Sequence, residues 1–447
     1  MQIKEYIDSV CSQIKYKPIR NEISEELTNH LEECKENYIQ DGMKENEAES
    51  KAVKQMGDAE KVGKQLNKIH GPKLDVKLLL IIGIVLFFSV LVALTRANSL
   101  NYSVIDSNGV NSVVTEHTQM SKYFICLMLG IGASILIYFF DYRKLSKISN
   151  YLYIFATLSL MLLSTVTLAL PLYVLSFIGF LQEINTSQKT FKGIKINIKL
   201  IKIILLSIIS LMIFALIPSL ASCIILGITY LIISIVKLSI SNNKKGIAIL
   251  LGFSFLSCLL IGISLLGGIG ISNNEHLITR LKSSYYPETD PLGYGYIGVN
   301  QQKIIDSAKT FGTAHNTSDA IKIFDEGTNY AFISILAHYG WIVSGIMLLA
   351  VVLLNVKLII NALKIKDTYG KLIIIGITSL FILQTVFNIL MNFNLGVKAD
   401  FNIPLISYGN MNLVINMMTL ALVLSIYRRK NIIINNEFKM ISDNNVY

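Results

Sequence analysis

From residue 76 onward apolar positions dominate in long runs cut by short polar connections, whereas before residue 76 they recur at three- and four-residue steps. The long runs match the roughly 20 apolar residues a helix needs to cross a bilayer core. They predict about ten spans, at Leu78 to Thr95, Tyr123 to Phe140, Tyr151 to Leu170, Leu172 to Leu181, Leu200 to Ile217, Leu220 to Leu238, Gly246 to Ile271, Tyr330 to Val356, Leu372 to Met391 and Asn412 to Tyr427. The fourth is short, and Pro171 marks either a boundary or a kink in one longer helix. The fold class expected is an all-α polytopic membrane protein of about ten helices with a large extracellular loop at residues 272–328.

The stepped pattern before residue 76 predicts a small helical domain over residues 1–75. Ile23, Leu27 and Leu31, then Ala48, Ala52, Val53 and Met56, form its apolar faces. Gly57 and Asp58 read as a left-handed helix end followed by an N-cap. Pro72 closes the last helix, and a cytoplasmic tail is expected over residues 431–447.

Charge assigns the sides. Arg143, Lys144 and Lys147, then Lys189, Lys192, Lys195 and Lys199, then Lys244 and Lys245, then Lys357, Lys364 and Lys366, then Arg428, Arg429 and Lys430 fall on one side if all ten runs cross. That side is expected to be cytoplasmic, with both termini. Merging the third and fourth runs would strand one set of lysines outside, so they are kept apart. The net charge of +10 is therefore an orientation signal, and no nucleic-acid partner is expected.

Composition adds two exclusions. The chain is 447 residues long and 52% hydrophobic, so no soluble fold absorbs its apolar runs. None of Cys11, Cys34, Cys126, Cys223 and Cys258 lies in the long loop, and no disulfide framework or metal spacing is present. His30 is expected to be a helix residue rather than a metal ligand. The N-terminus lacks an apolar signal core, which leaves the first span as an uncleaved insertion signal. Few charges lie inside the spans, against an ion or proton pathway.

The polar segment from Ser272 to Thr328 is long for a connection, and such loops are functional or disordered. It carries Arg280, then Tyr286-Pro287-Glu288-Thr289-Asp290-Pro291-Leu292-Gly293-Tyr294-Gly295-Tyr296, then Gln301-Gln302-Lys303, and ends in Thr328-Asn329-Tyr330-Ala331-Phe332. Gln384-Thr385-Val386-Phe387-Asn388 and Ile403-Pro404-Leu405-Ile406-Ser407-Tyr408-Gly409 follow. In that order these strings resemble the SEDS family (shape, elongation, division and sporulation proteins: FtsW, RodA, SpoVE). The resemblance is strong in the C-terminal half and weak in the first half. The prefix, through Glu26-Leu27, His30-Leu31-Glu32, Gly42, Glu47-Ala48 and Gln55-Met56-Gly57-Asp58, resembles the helical (HAAS-like) domain ahead of bacterial permeases. A cytoplasmic protein partner is expected for it, or a passive folded role.

The resemblance implies a peptidoglycan glycosyltransferase that polymerises lipid II, with a class B penicillin-binding protein as partner, in division, shape or sporulation. Such chemistry asks for cations on the donor pyrophosphate, a carboxylate on the acceptor hydroxyl and a groove for the polyprenyl tail. Arg280, Lys282, Lys303 and Lys398 are the candidate cations, with solvated loop charge as the alternative reading. No cofactor is identifiable from the sequence, which leaves a divalent cation open. Where the family has its catalytic Asp this chain has Asn329, which accepts no proton at neutral pH. Asp325 and Glu326 are the expected substitutes, and without one the chain is a catalytically impaired, lipid II-binding scaffold or regulator. His338 stands near positions where the family is acidic, and in an apolar span it reads as a packing group. Gln384, Asn388, Ser407 and Tyr408 are candidates for substrate contact, Gln384 and Asn388 equally for interhelical bonds. Asp290 and Glu288 lie in a Pro-bounded turn and read as structural.

Overall fold

The structure is a computed structural model and describes residues 2–15, 20–70, 74–99, 103–105, 111–113, 117–163, 165–182, 189–191, 194–196, 198–216, 220–240, 252, 279, 282–315, 318–326, 329–395, 401–406 and 410–430. The chain divides into two units, Met1–Asp75 with Ile426–Tyr447, and Val76–Ser425.

In the first unit α1 (Ile3–Ser12), α2 (Arg20–Gln40), α3 (Glu45–Met56) and α4 (Ala59–His70) bury one apolar core of Tyr6, Ile7, Val10, Ile14, Ile23, Leu27, Leu31, Ala52 and Val53. The three- and four-residue steps in the sequence are the inward stripes of these helices. The α3–α4 corner has the chemistry its residues predict. Gly57 takes φ +85°, and the Asp58 carboxylate accepts the N–H groups of Glu60 at 2.8 Å and Lys61 at 3.0 Å. Those backbone bonds, Lys61's first, hold the Asp58 carboxyl below the usual aspartate range.

The second unit is helical apart from two short antiparallel hairpins in its connections, β1 (Ser103–Ile105) with β2 (Asn111–Val113) and β3 (Lys189–Phe191) with β4 (Ile194–Ile196). Its helices are α5 (Val76–Ser99), α6 (His117–Phe139), α7 (Ser149–Leu163), α8 (Val166–Gln182), α9 (Ile198–Leu216), α10 (Leu220–Ile240), α11 (Tyr296–Ser307), α12 (Ser318–Glu326), α13 (Ala331–Tyr339), α14 (Trp341–Lys364), α15 (Thr368–Asn392) and α16 (Asn410–Arg428). Six helices among the described residues are long and apolar enough to cross a membrane, in α5, α6, α10, α14, α15 and α16. Large apolar side chains such as Leu80, Phe87, Met128, Leu136 and Leu162 are exposed along these and neighbouring helices, as lipid-facing surface requires. The protein is a polytopic membrane protein.

Three expected spans are drawn differently by the structure. The third and fourth meet at residues 164–165 rather than at Pro171, which lies inside α8. Its missing N–H falls in a helix packed along its length by α7, α10 and α15. The run from Tyr330 to Val356 is two helices, because Gly340 at φ +85° ends α13 and starts α14. A Cβ there would stand 2.6 Å from the Lys309 carbonyl oxygen, so the close strap of residues 309–314 also requires glycine. Of the expected span Gly246 to Ile271 only residue 252 is among the described residues.

α15 is the central span, packed by α8, α10, α13 and α14. At Gly376 a Cβ would meet Val174 Cγ1 at 2.8 Å, which is how small residues bring membrane helices close. Asp367 caps α15 by accepting from the N–H of Gly370 at 2.8 Å and also accepts from the Tyr142 hydroxyl at 2.8 Å. Burial, reinforced by that carboxylate, pushes the Tyr142 phenol well up.

Candidate functional site

Of the predicted site residues that are described, Asp325, Asn329 and Asn388 gather around α13, a nine-residue helix almost wholly buried. Ser334 and His338 sit four residues apart on one face of it, and both bond to Asp325 on α12. The Ser334 hydroxyl donates to Oδ1 at 2.5 Å, and His338 Nε2 lies 3.0 Å from Oδ2. The carboxylate's partner implies that Nε2 carries the proton, which leaves Nδ1 as the basic nitrogen. The Asp325 side chain is fully buried while that of His338 is 23% exposed.

This arrangement corrects the expectation for Asp325. A general base must come within hydrogen-bond reach of its substrate. A carboxylate with no exposed surface, already accepting from two side chains, is not placed to do so; it orients His338 and ties α12 to α13. His338, expected to be a lone packing group, is instead the partly open member of this network. The sequence signal was the i, i+4 pair of polar residues in an apolar helix, legible only once Asp325 was placed beside it.

At the other end of α13 the residues are amides. Asn329 lies half-buried just ahead of the helix, and its backbone carbonyl accepts from Asn388 Nδ2 at 2.8 Å. The same nitrogen donates to the Phe401 carbonyl at 2.5 Å. Asn392 in turn donates to Asn388 Oδ1 at 2.8 Å and to the Asn388 carbonyl at 2.7 Å. Both amide hydrogens of Asn388 are therefore engaged with the backbone. The residue holds three segments together, as the interhelical alternative expects. Gln384 is buried one turn earlier on α15.

The segment that Asn388 holds turns sharply. Pro404 and Leu405, with Leu405 at φ +65° and Ile406 N–H bonded to the Ile403 carbonyl at 3.0 Å, have the pattern of a type II turn. A buried leucine in the left-handed region is a strained choice at such a position, and strain of that kind gathers at binding sites. Ser407, Tyr408, Lys398 and Arg280 lie outside the described residues, as does the side chain of Glu326. Lys303 is exposed on α11, as a solvated loop charge would be.

The Pro-Glu-Thr-Asp-Pro-Leu-Gly-Tyr-Gly-Tyr string is a folded turn. Asp290 accepts the N–H groups of Gly293 at 3.1 Å and Tyr294 at 2.8 Å, the structural role expected of it. The turn leads into α11, where Asn394 Nδ2 donates to the Gly298 carbonyl at 3.1 Å and Gln301 Nε2 to the Met391 carbonyl at 3.4 Å. Among the described residues no three His, Cys, Asp or Glu side chains gather as metal ligands.

Comparison with known proteins places this geometry. Residues 167–432 match the cell cycle protein family of FtsW, RodA and SpoVE. Stage V sporulation protein E of Bacillus subtilis (strain 168) is 28% identical over 179 residues, 39% of this chain and 48% of that protein. The probable peptidoglycan glycosyltransferase FtsW of Enterococcus hirae is 27% identical over 193 residues, 42% of this chain and 48% of that protein. The chain thus spans about half the length of the curated relatives it matches. Among solved structures, a chain of a peptidoglycan synthase complex that coordinates polymerisation and crosslinking superposes with a TM-score of 0.56 at 16% identity, over 80% of this chain and 98% of that one. The rod shape determining protein RodA of Thermus thermophilus superposes with a TM-score of 0.50 at 14% identity, over 80% of this chain and 97% of that one. These two likenesses establish the fold.

Proposed function

From a chain that belongs to the FtsW/RodA/SpoVE family of cell cycle proteins, we propose a protein of peptidoglycan synthesis that binds lipid II at the outer face of a bacterial membrane without supplying the base for its polymerisation. It serves division, shape or sporulation as a scaffold or regulator beside a class B penicillin-binding protein. One observation carries this reading: position 329 holds an amide, and the carboxylate nearest in sequence whose side chain is described, Asp325, is buried beneath Ser334 and His338.

Extending a glycan joins the acceptor hydroxyl oxygen to the donor's anomeric carbon and breaks that carbon's bond to the pyrophosphate, which leaves with the electron pair. The hydroxyl proton must go to a base, and Asn329 cannot take it. Donor binding asks less. Arg280, Lys282 and Lys398 meet the pyrophosphate charge, and Gln384, Ser407 and Tyr408 shape the cavity. A divalent cation would arrive with the pyrophosphate as its counter-ion. The lysine-bearing connections put both termini in the cytoplasm, where the four-helix N-terminal unit takes a protein partner.

A second reading is favoured by His338: its imidazole is held by Asp325 and has an open edge, so an active polymerase would use it as base. Labelled lipid II separates the two. The purified full chain, alone and with its transpeptidase, is compared with Asn329→Asp and His338→Gln, and lipid II binding is measured on all three. Binding without polymer from the unaltered chain, with polymer from Asn329→Asp, is the expected result. Polymer from the unaltered chain that disappears in His338→Gln establishes the second reading, and a chain that fails to bind lipid II ends the first.

A further inference from the structure

The height of the turn at residues 285–296 in the membrane follows from what holds it. α15 is a membrane span, and its last turn accepts from Gln301 while Asn394, two residues beyond its end, donates to Gly298. A Cβ at Gly298 would lie 2.7 Å from Pro287 Cβ and 2.9 Å from Asn394 Oδ1, so the turn, α11 and the end of α15 meet at one point. The antiparallel span α14 begins at the same level. Its first residue, Trp341, stacks on Phe393 with ring centroids 6.4 Å apart, and the Trp341 N–H donates to the Lys309 carbonyl at 3.0 Å. Both ends lie away from Lys364, Lys366 and Lys371, at the opposite tips of these spans.

Large apolar and aromatic side chains stand out at that height, beside the exposed Glu288 and Thr289. Leu292 is 91% exposed and Phe311 70%, with Tyr285, Tyr286, Tyr294 and Tyr296 exposed beside them. They are held out by a rigid frame. The Asp290 carboxylate fixes Gly293 and Tyr294, the Gly295 N–H donates to the Asp290 carbonyl at 2.9 Å, and a Cβ at Gly295 would collide with the Pro287 carbonyl. A turn so constrained cannot fold its leucine inward. Tyrosine and tryptophan are the residues of the membrane–water boundary, where an apolar ring body and a polar edge are both accommodated.

We infer that residues 285–296, together with Phe311 and Trp341, form an aromatic foot that rests in the headgroup region of the leaflet on the side away from Lys364, Lys366 and Lys371. Its partner is the lipid surface. The foot fixes the depth of α11, and through it of the segments around Asn329, and it holds for either reading of the site.

Tryptophan fluorescence tests the placement. The chain has one tryptophan, Trp341, so the full-length protein in phospholipid vesicles reports on the foot before any substitution. Leu292→Trp in a Trp341→Phe background then reports from the turn, and Asn37→Trp in the same background is the aqueous control. Expected is blue-shifted emission at position 292 that loses most of its intensity when the vesicle lipids carry brominated acyl chains and little on adding acrylamide, with the control reversed. Emission at 292 that acrylamide quenches and brominated lipid does not would overturn the inference. So would shielding from both, the mark of a protein or glycan contact, and so would indifference of native Trp341 to brominated lipid.

Discussion

Two polar centres hang on the same nine-residue helix and are built on opposite terms. At the His338 end a carboxylate is buried outright, and it is sustained by donors from Ser334 and His338. At the Asn329 end amides and backbone carbonyls are joined by Asn388 and Asn392. A buried charge is tolerated only with full hydrogen-bonding, and an amide does the same bridging with less desolvation cost. Irregular backbone near membrane depth needs such partners, since no water supplies them. Position 329 thus sits in the neutral, amide-built centre. The charged one serves to fix α12 on α13.

The comparison breaks first at Asp325. Asp325→Ala removes the acceptor of two side chains at once and should cost about 3 kcal/mol, at roughly 1–3 kcal/mol for each stranded group. Asp325→Asn keeps one acceptor and should cost less, about 1 kcal/mol. Thermal unfolding of the purified protein in detergent checks both, and an alanine variant as stable as the parent would mean that the carboxylate anchors nothing. Asn388→Ala comes next. It strands the carbonyls of Asn329 and Phe401 and should cost about 2 kcal/mol, with faster amide exchange in residues 401–406. Equal effects from Asp325→Asn and Asn388→Ala would erase the distinction between the centres. Gly340→Ala, which joins α13 to α14, forces a side chain into the left-handed region against the Lys309 carbonyl. A loss of about 1–2 kcal/mol is expected there, read in the same melt.

Much of the fold was legible because membrane spans announce themselves by length and apolarity. The N-terminal helices were equally plain from Ile23, Leu27 and Leu31 at helical steps and from the Gly57-Asp58 corner. The misplaced boundaries have a common cause. At Pro171 the sequence allows a boundary or a kink, and packing around α8 carries the helix through it. Gly340 was passed over inside an apolar run because hydropathy does not register a positive φ. At the site, the structural role of Asp290 could be read from its string of residues. The engagement of Asn388 with segments 59 residues before it and 13 after it could not, since local sequence carries no record of such pairings. Asp325 was misjudged for the same reason: a carboxylate's use depends on its burial, and burial is a property of the packed α12 and α13.

The smallest effect sharpens the comparison most finely, because Asn394 combines a backbone role with a side-chain one. It stands at φ +56° just past α15, where the Leu395 N–H reaches back to the Leu390 carbonyl at 2.8 Å in a Schellman-type end. Asparagine and glycine tolerate that conformation, and alanine does so only at a cost of about 1 kcal/mol. Asn394→Gly therefore loses the bond to Gly298 alone, about 0.5–1 kcal/mol, while Asn394→Ala adds the strain to it. Amide exchange in α11 is the discriminating readout. Loosening of α11 to the same degree in both variants, with the lower melting temperature in alanine, means that the side chain docks α11 and the backbone only ends α15. If glycine leaves α11 as protected as in the parent, the tie between the turn and the span end rests on Gln301, and the neutral centre stops at Asn392.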